Sequence, residues 1–228
     1  MSFIKMQNVI KNYYKGPLKI PALRGVDLTI SKGEFLSIVG PSGSGKTTLL
    51  NILGCIDIPT SGEVIYLGKN LGKMKEKQLT EYRKEHIAFI FQSFNLIPVL
   101  TVRENVELPL IIGKKYSKKE MKQMAMEFIS LVGLSDLANR LPKELSGGQE
   151  QRVAIARSLV KNPFIVLADE PTANLDSGTS ENIMSVMKTM NREKETTFIF
   201  STHDPLVQKH AKRVIKLRDG KIESDERK

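Results

Sequence analysis

Short continuous apolar runs recur along the chain and are separated by stretches of helical periodicity. FLSIVG (35–40), IAFIF (87–91), FIVLAD (164–169) and TFIFS (197–201) are rich in β-branched and aromatic residues, which suits strands buried on both faces. TTLLNILG, MKQMAMEFISLVGL, QEQRVAIARSLV and ENIMSVMKTM read as helices, the last with Ile183, Val186, Met187 and Met190 at helical spacing. This alternation predicts an α/β fold with a mostly parallel sheet and crossover helices. Near the start, FIKMQNVIKNYY and VDLTI alternate as half-buried strands do, with the turn-rich KGPLKIP between them. They predict an N-terminal antiparallel β flap. Residues 93–158 are mostly helical and fall between sheet strands, so they are expected to form an inserted helical subdomain. The sheet core and its flap then occupy 1–92 and 159–228 within a single domain spanning 1–228.

Composition narrows the class. With 228 residues and 40% hydrophobic content the chain can bury a substantial core. Its single cysteine excludes an internal disulfide and fits a reducing compartment; Cys55, inside LLNILGCI, reads as a small core residue. No apolar stretch reaches the ~18 residues of a membrane span, and MSFIKMQNV lacks the apolar segment of a secretion signal. A cytosolic chain that neither spans a membrane nor is exported is therefore expected. The formal charge is +10, carried by dispersed lysines with one denser cluster, KKYSKKEMK at 114–122. There Ser117 and Glu120 have capping-box spacing, and the cluster reads as a solvated helix start. Aromatics make up 6% of the chain with no tryptophan, and basic patches interleaved with aromatics are missing, so no nucleic-acid partner is expected. His86 and His210 read as solvated, and the methionines as core filling.

GPSGSGKT, residues 40–47, follows an apolar strand and opens a helix, the context a phosphate-binding loop requires. Gly40, Gly43 and Gly45 let the backbone turn tightly around Pro41, Ser42 and Ser44 and point N–H donors along the helix dipole at a polyphosphate. Lys46 adds a charge for the terminal phosphates, Thr47 a hard oxygen for Mg²⁺, and Thr48 a further phosphate contact. FIVLADEP delivers Asp169 and Glu170 to the C-terminal edge of a buried strand, where open α/β sheets bind ligands. Asp169 suits a Mg²⁺ ligand, and Glu170 a base that polarises the attacking water. His203, in FSTHDP, reaches the same edge, either facing a γ-phosphate or as a satisfied structural histidine. Gln92 follows IAFIF in the same manner, and its amide could serve both Mg²⁺ and the attacking water.

ELSGGQEQR (144–152) poses a separate problem, because it has the form of an anion-holding helix start yet carries no lysine. Together with the phosphate loop, Gln92, LADE (167–170), ANLD (173–176) and His203, it follows the order and spacing of ABC-transporter ATP-binding subunits, which the chain resembles over nearly its whole length. The resemblance implies a P-loop NTPase core of RecA-like type and ATP hydrolysis. It also implies a nucleotide-dependent homodimer in which Leu145, Ser146, Gly147, Gly148 and Gln149 of one copy face ATP on the P-loop of the other. Asp176 is then placed near the dimer axis, and Tyr13, with Tyr14 as the fallback, stacks on adenine. The segment SFNLIPVLTVRENVELP, with Phe94, Leu96 and Ile97 exposed, resembles a groove that receives an integral-membrane permease subunit. Since the chain ends at Lys228, that permease is expected to be another polypeptide, with this chain peripheral on the cytoplasmic face of the membrane.

LLNILGCID, FIFQSFNLIPVLTVRENVELPLIIGKK and LADEPTANLDS resemble the lipoprotein-release and macrolide-export type, and division-associated relatives share much of this pattern. A soluble ATPase of the same class acting on DNA or ribosomes is the alternative. The interval between the P-loop and the signature motif LSGGQ (145–149) has no heptads, and only one cassette is present, which argues against it.

Overall fold

The computed structural model describes residues 2–228. The chain opens with a long hairpin, β1 (Ser2–Lys15) and β2 (Leu18–Ser31), turned at residues 16–17. A short strand, β3 (Phe35–Val39), leads into helix α1 (Lys46–Leu53), then β4 (Ser61–Tyr66), β5 (Lys69–Asn70), α2 (Glu76–His86) and β6 (Ile87–Ile90). Three helices follow, α3 (Val102–Gly113), α4 (Lys118–Leu131) and α5 (Gly147–Leu159). The chain ends with β7 (Ile165–Asp169), α6 (Ser177–Lys194), β8 (Thr197–Ser201), α7 (Pro205–His210), β9 (Arg213–Arg218) and β10 (Lys221–Arg227).

Two sheets result. One is antiparallel, in the order β2-β1-β4-β5; the other runs β10-β9-β3-β8-β7-β6, parallel except for its edge strand β10. Side-chain alternation splits the core between the two faces of the larger sheet. Leu36, Ile38, Ile165, Leu167 and Ile199 face the antiparallel sheet, α1 and α2. Phe35, Val166, Ala168, Phe198 and Phe200 face the helical layer. Every element between β6 and β7 is helical, and no helix of the described residues is long and apolar enough to cross a membrane.

Helix starts are fixed locally. Thr101 with Glu104, Ser117 with Glu120, and Ser146 with Gln149 form reciprocal capping boxes, while Asp176 and Asp204 cap α6 and α7.

Several expectations are corrected. Leu18–Pro21 of KGPLKIP pair with β1 rather than forming a loop, so the turn is confined to two residues. His210 is not solvated: its side chain is 10% exposed, and its Nε2 lies 3.0 Å from Glu181 Oε1 but is poorly angled for a hydrogen bond. His86 is half-buried against Tyr82 and Phe164. Burial, followed by Lys69, Lys115 and Lys161, holds its imidazolium down against the opposing pull of Glu85. Phe94, Leu96 and Ile97 are half-buried rather than exposed, because Arg157 draws the main chain inward with 2.6 Å bonds to the carbonyls of Phe94 and Asn95. Cys55 is buried as expected, and desolvation pushes its thiol up to about 12.

Candidate functional site

The candidate site is built at the C-terminal edge of the parallel strands, starting from β3. Residues 40–45 leave that strand as a loop, with Pro41, Ser42 and Gly43 exposed at its apex and Ser44 buried beneath them. Gly40 has no substitute here, since a Cβ would lie 2.0 Å from the carbonyl oxygen of Leu217 on β9. Gly45 caps α1 without any side-chain acceptor, so the first N–H groups of that helix point outward with the positive end of its dipole. Lys46 Nζ lies along the loop, donating to Gly40 O at 2.8 Å and Pro41 O at 3.0 Å. The arrangement is a concave set of main-chain donors beside one cation, suited to a polyphosphate.

Beside the loop, Thr47 Oγ1 donates to Asp169 Oδ2 at 3.2 Å, joining α1 to the end of β7. Glu170 follows with a left-handed backbone (φ 48°), a conformation that costs a residue with a Cβ free energy. Its side chain is only 13% exposed, and its carboxylate is held by the segment after β8. Thr202 Oγ1 donates to Oε2 at 2.8 Å, the His203 N–H to Oε1 at 3.2 Å, and His203 Nδ1 lies 2.6 Å from Oε1. The sequence places Glu170 and His203 on one edge; the structure joins them directly. Thr202 was not foreseen, although its adjacency to His203 in STHD was available as a signal. It is itself fixed by the Asp204 N–H at 3.0 Å, and Asp204 in turn by Thr172 Oγ1 at 2.6 Å.

Gln92 lies two residues beyond β6, level with Glu170 on the neighbouring strand. Its amide is exposed and has no hydrogen bond among the described residues, so it is not drawn to Thr47 or Asp169. Tyr13 is brought to the site by β1, and its hydroxyl donates to Asp57 Oδ2 at 2.9 Å. Burial, opposed by Thr48 and reinforced by Asp57, raises the Tyr13 hydroxyl above its ordinary value. Lys11 sits 5.0 Å from the centre of the Tyr13 ring and 2.5 Å from Asp57, a clamp that no local pattern announces. Tyr14 points to solvent, 66% exposed.

Leu145 through Gln149 lie elsewhere. Ser146 Oγ takes the N–H of Gln149 at 3.3 Å, and Gln149 Oε1 takes the N–H of Ser146 at 2.8 Å. The N–H groups of Gly147 and Gly148 stay free of hydrogen bonds among the described residues, and none joins 145–149 to 40–48. A Cβ on Gly148 would sit 2.9 Å from Asn174 O, so the signature turn packs against the segment leading to Asp176. Gln151, fully buried, fastens the two with a 2.9 Å bond to Pro171 O. Asp176 is exposed and caps α6 through the Thr179 N–H at 2.9 Å.

Known proteins match this arrangement. The family model described as ABC transporter matches residues 23–173. An uncharacterized ABC transporter ATP-binding protein of Methanocaldococcus jannaschii, MJ0796, is 49% identical over 227 residues, covering 98% of this chain and 97% of that one. The macrolide export ATP-binding/permease protein MacB of Syntrophobacter fumaroxidans is 44% identical over 226 residues, which span 99% of this chain but 32% of that protein. A dimeric structure of MJ0796 in a post-hydrolysis state, bound to ADP and Pi, superposes with a TM-score of 0.94 at 48% identity, covering 98% of both chains.

Proposed function

This chain belongs to the ABC transporter ATP-binding family and is an ATPase, and from that premise we propose that it works as a pair of copies driving a separate membrane permease. Two nucleotide sites are shared across the pair in this reading. The observation that carries it is the separation of two anion-binding helix starts in one chain. One, at Lys46, has a cation and an acidic edge beside it; the other, at Ser146, has only glycine N–H groups and a hydroxyl. The second cannot hold a triphosphate alone, and it suits a γ-phosphate whose charge is already partly neutralised by another copy.

Within each site, Gly40, Pro41, Ser42, Gly43, Ser44, Gly45, Lys46, Thr47 and Thr48 cradle the phosphates and Tyr13 stacks on the adenine. On ATP binding, Lys46 exchanges its contacts with Gly40 O and Pro41 O for phosphate oxygens. Glu170 accepts a proton from water as the water oxygen bonds to the γ-phosphorus and the bond to the ADP oxygen breaks. His203 orients Glu170 and faces the γ-phosphate, and Gln92 positions the water. Leu145, Ser146, Gly147, Gly148 and Gln149 of the second copy close the site, with Asp176 beside the axis between copies.

Thr47 Oγ1 and Asp169 Oδ2 are adjacent hard oxygens of the kind Mg²⁺ takes, with Gln92 as a further donor. When bound, Mg²⁺ would neutralise charge on the β- and γ-phosphates. ATP contacts both copies only when they are closed, so hydrolysis removes the interaction that favours closure.

The permease contacts the cleft of about 340 Å³ between β6, α3 and α5, which is lined by Phe89, Phe91, Leu108, Pro109, Arg157 and Lys161. Coupled in this way, the chain sits on the cytoplasmic face of a membrane. Kinship with MacB supports antibiotic export as its task, while lipoprotein release and peptide export rest on the sequence resemblance alone.

Complementation between two inactive variants tests the shared site. Lys46→Ala damages one half-site and Ser146→Phe the other, so each alone should hydrolyse little ATP. Mixed, they form pairs in which one site has both lesions and the other has neither, and activity should appear. A mixture that stays inactive while Ser146→Phe still binds ATP would sink the proposal.

A further inference from the structure

Residues 111–122 carry a largely exposed surface that the ATP reaction does not use. The last two apolar residues of α3, Ile111 and Ile112, are 49% and 53% exposed, and Tyr116 just beyond them is 39% exposed. Lys114, Lys115, Lys118 and Lys119 surround them in the sequence and are exposed, as is Lys122 in the first turns of α4. From Leu108 to Met126 the only carboxylate is Glu120, and it is engaged in the α4 capping box, its Oε2 accepting from the Ser117 N–H at 2.7 Å. None of these five lysines has an ion pair among the described residues, where Lys11, Lys32, Lys84 and Lys216 do.

We propose that this α3–α4 tip is a membrane-contact surface. Ile111, Ile112 and Tyr116 enter the boundary between headgroups and acyl chains, and the lysines engage anionic headgroups. The inference rests on the permease reading. Leu108 lines the cleft assigned to the permease, and Ile111 and Ile112 lie three and four residues further along α3, one turn on along the same side. A cleft that receives a membrane protein's cytoplasmic segment brings the adjoining tip alongside the bilayer.

The chemistry favours lipid over a protein. Lysine is depleted in protein interfaces, where each buried ammonium needs a carboxylate at a matched position. A sheet of anionic headgroups satisfies flexible lysines in any rotamer, and the apolar trio adds insertion to attraction. Neither contribution suffices alone, because three half-exposed side chains offer little area and lysine attraction is screened by salt. The surface also gives part of the +10 net charge, which the nucleotide reaction does not require, a specific use.

The full chain should float with vesicles of phosphatidylcholine mixed with phosphatidylglycerol and not with phosphatidylcholine alone, and added salt should weaken the binding. Lys115→Gln, Lys118→Gln and Lys119→Gln should lower partitioning by about five-fold for each lysine removed. Ile111→Ser with Ile112→Ser should weaken it at every ionic strength. Both sets should leave ATPase activity in solution unchanged. The control is Lys188→Gln with Lys212→Gln, which lie together beside Phe35 and away from α3 and α4, with losses compared per lysine removed.

Equal losses for control and tip variants would reduce the effect to net charge and overturn the proposal. Absence of binding to anionic vesicles would do the same. So would tip variants that bind vesicles normally but no longer co-purify with the permease, since the surface would then belong to a protein partner. Complementation of Lys46→Ala by Ser146→Phe does not involve the tip. Its success without vesicle binding would sink this inference alone, and the reverse outcome would sink the shared-site reading alone.

Discussion

Glu170 Oε1 lies 2.6 Å from His203 Nδ1 across the ends of β7 and β8, two strands held in register by the pairing of Asp169 with Ser201. That register levels residues 33 positions apart in sequence. It also aligns the main chain, since the Glu170 N–H donates to Ser201 O at 2.9 Å. The acid is thus oriented by the fold's own hydrogen bonds, the preorganisation that the proposed role of general base requires.

Glu170→Gln keeps the size and one acceptor of the side chain but removes its capacity to take a proton. ATP binding should survive while hydrolysis falls roughly a hundred- to ten-thousand-fold. With closure favoured and its release blocked, an ATP-bound dimer should accumulate on gel filtration. A variant that remains monomeric and hydrolyses ATP at the normal rate would remove Glu170 from the role.

Thr202 is buried and donates to Glu170 Oε2 while accepting from Asp204, so it acts as a positioning residue for the carboxylate. Thr202→Val preserves shape and removes the hydroxyl. Loss of one such bond should lower kcat about ten-fold, leave KM and ATP affinity unchanged, and be reversed by Thr202→Ser. Equal damage from Val and Ser, or a parallel loss of binding and stability, would show a packing role instead.

Arg213 ties the far side of the sheet together. Its side chain is 8% exposed, and it donates to Asp225 Oδ1 and Oδ2 at 2.7 and 2.6 Å, to Glu34 Oε2 at 2.7 Å and to Thr29 O at 2.8 Å. The bonds from Arg213 hold the Asp225 carboxyl below its ordinary value against partial desolvation, helped by the charges of Arg213 and Arg227. A depressed folded-state value means that the stabilisation is fully present above the ordinary aspartate pKa of about 4 and is lost as pH falls through the folded value. Thermal denaturation followed from neutral to acidic pH should show this loss. Asp225→Asn should flatten that limb and cost about 1 kcal/mol at neutral pH, a modest figure because Asp225 is 37% exposed. An unchanged acid limb in the variant would assign the loss to other carboxylates.

Sequence alone determined the pieces whose physics is local. A buried apolar strand running into GPSGSGKT fixes a helix start and its free N–H groups, Ser117 with Glu120 fixes the start of α4 within four residues, and ELSGGQEQR opens a helix with free N–H groups of its own. Those interactions close over a few bonds, so the order of residues suffices to state them. The strands Ser61–Tyr66 and Lys221–Arg227 and the helix Glu76–His86 were not legible: their apolar positions are few, and they are held by partners distant in sequence. Only the tertiary structure decided that Asp57 orients Tyr13, that Thr202 holds Glu170, that Leu217 leaves room only for glycine at position 40, and that His210 is buried. Each depends on strand register and on the approach of segments far apart along the chain, which are set by how the whole core packs rather than by any one stretch of residues.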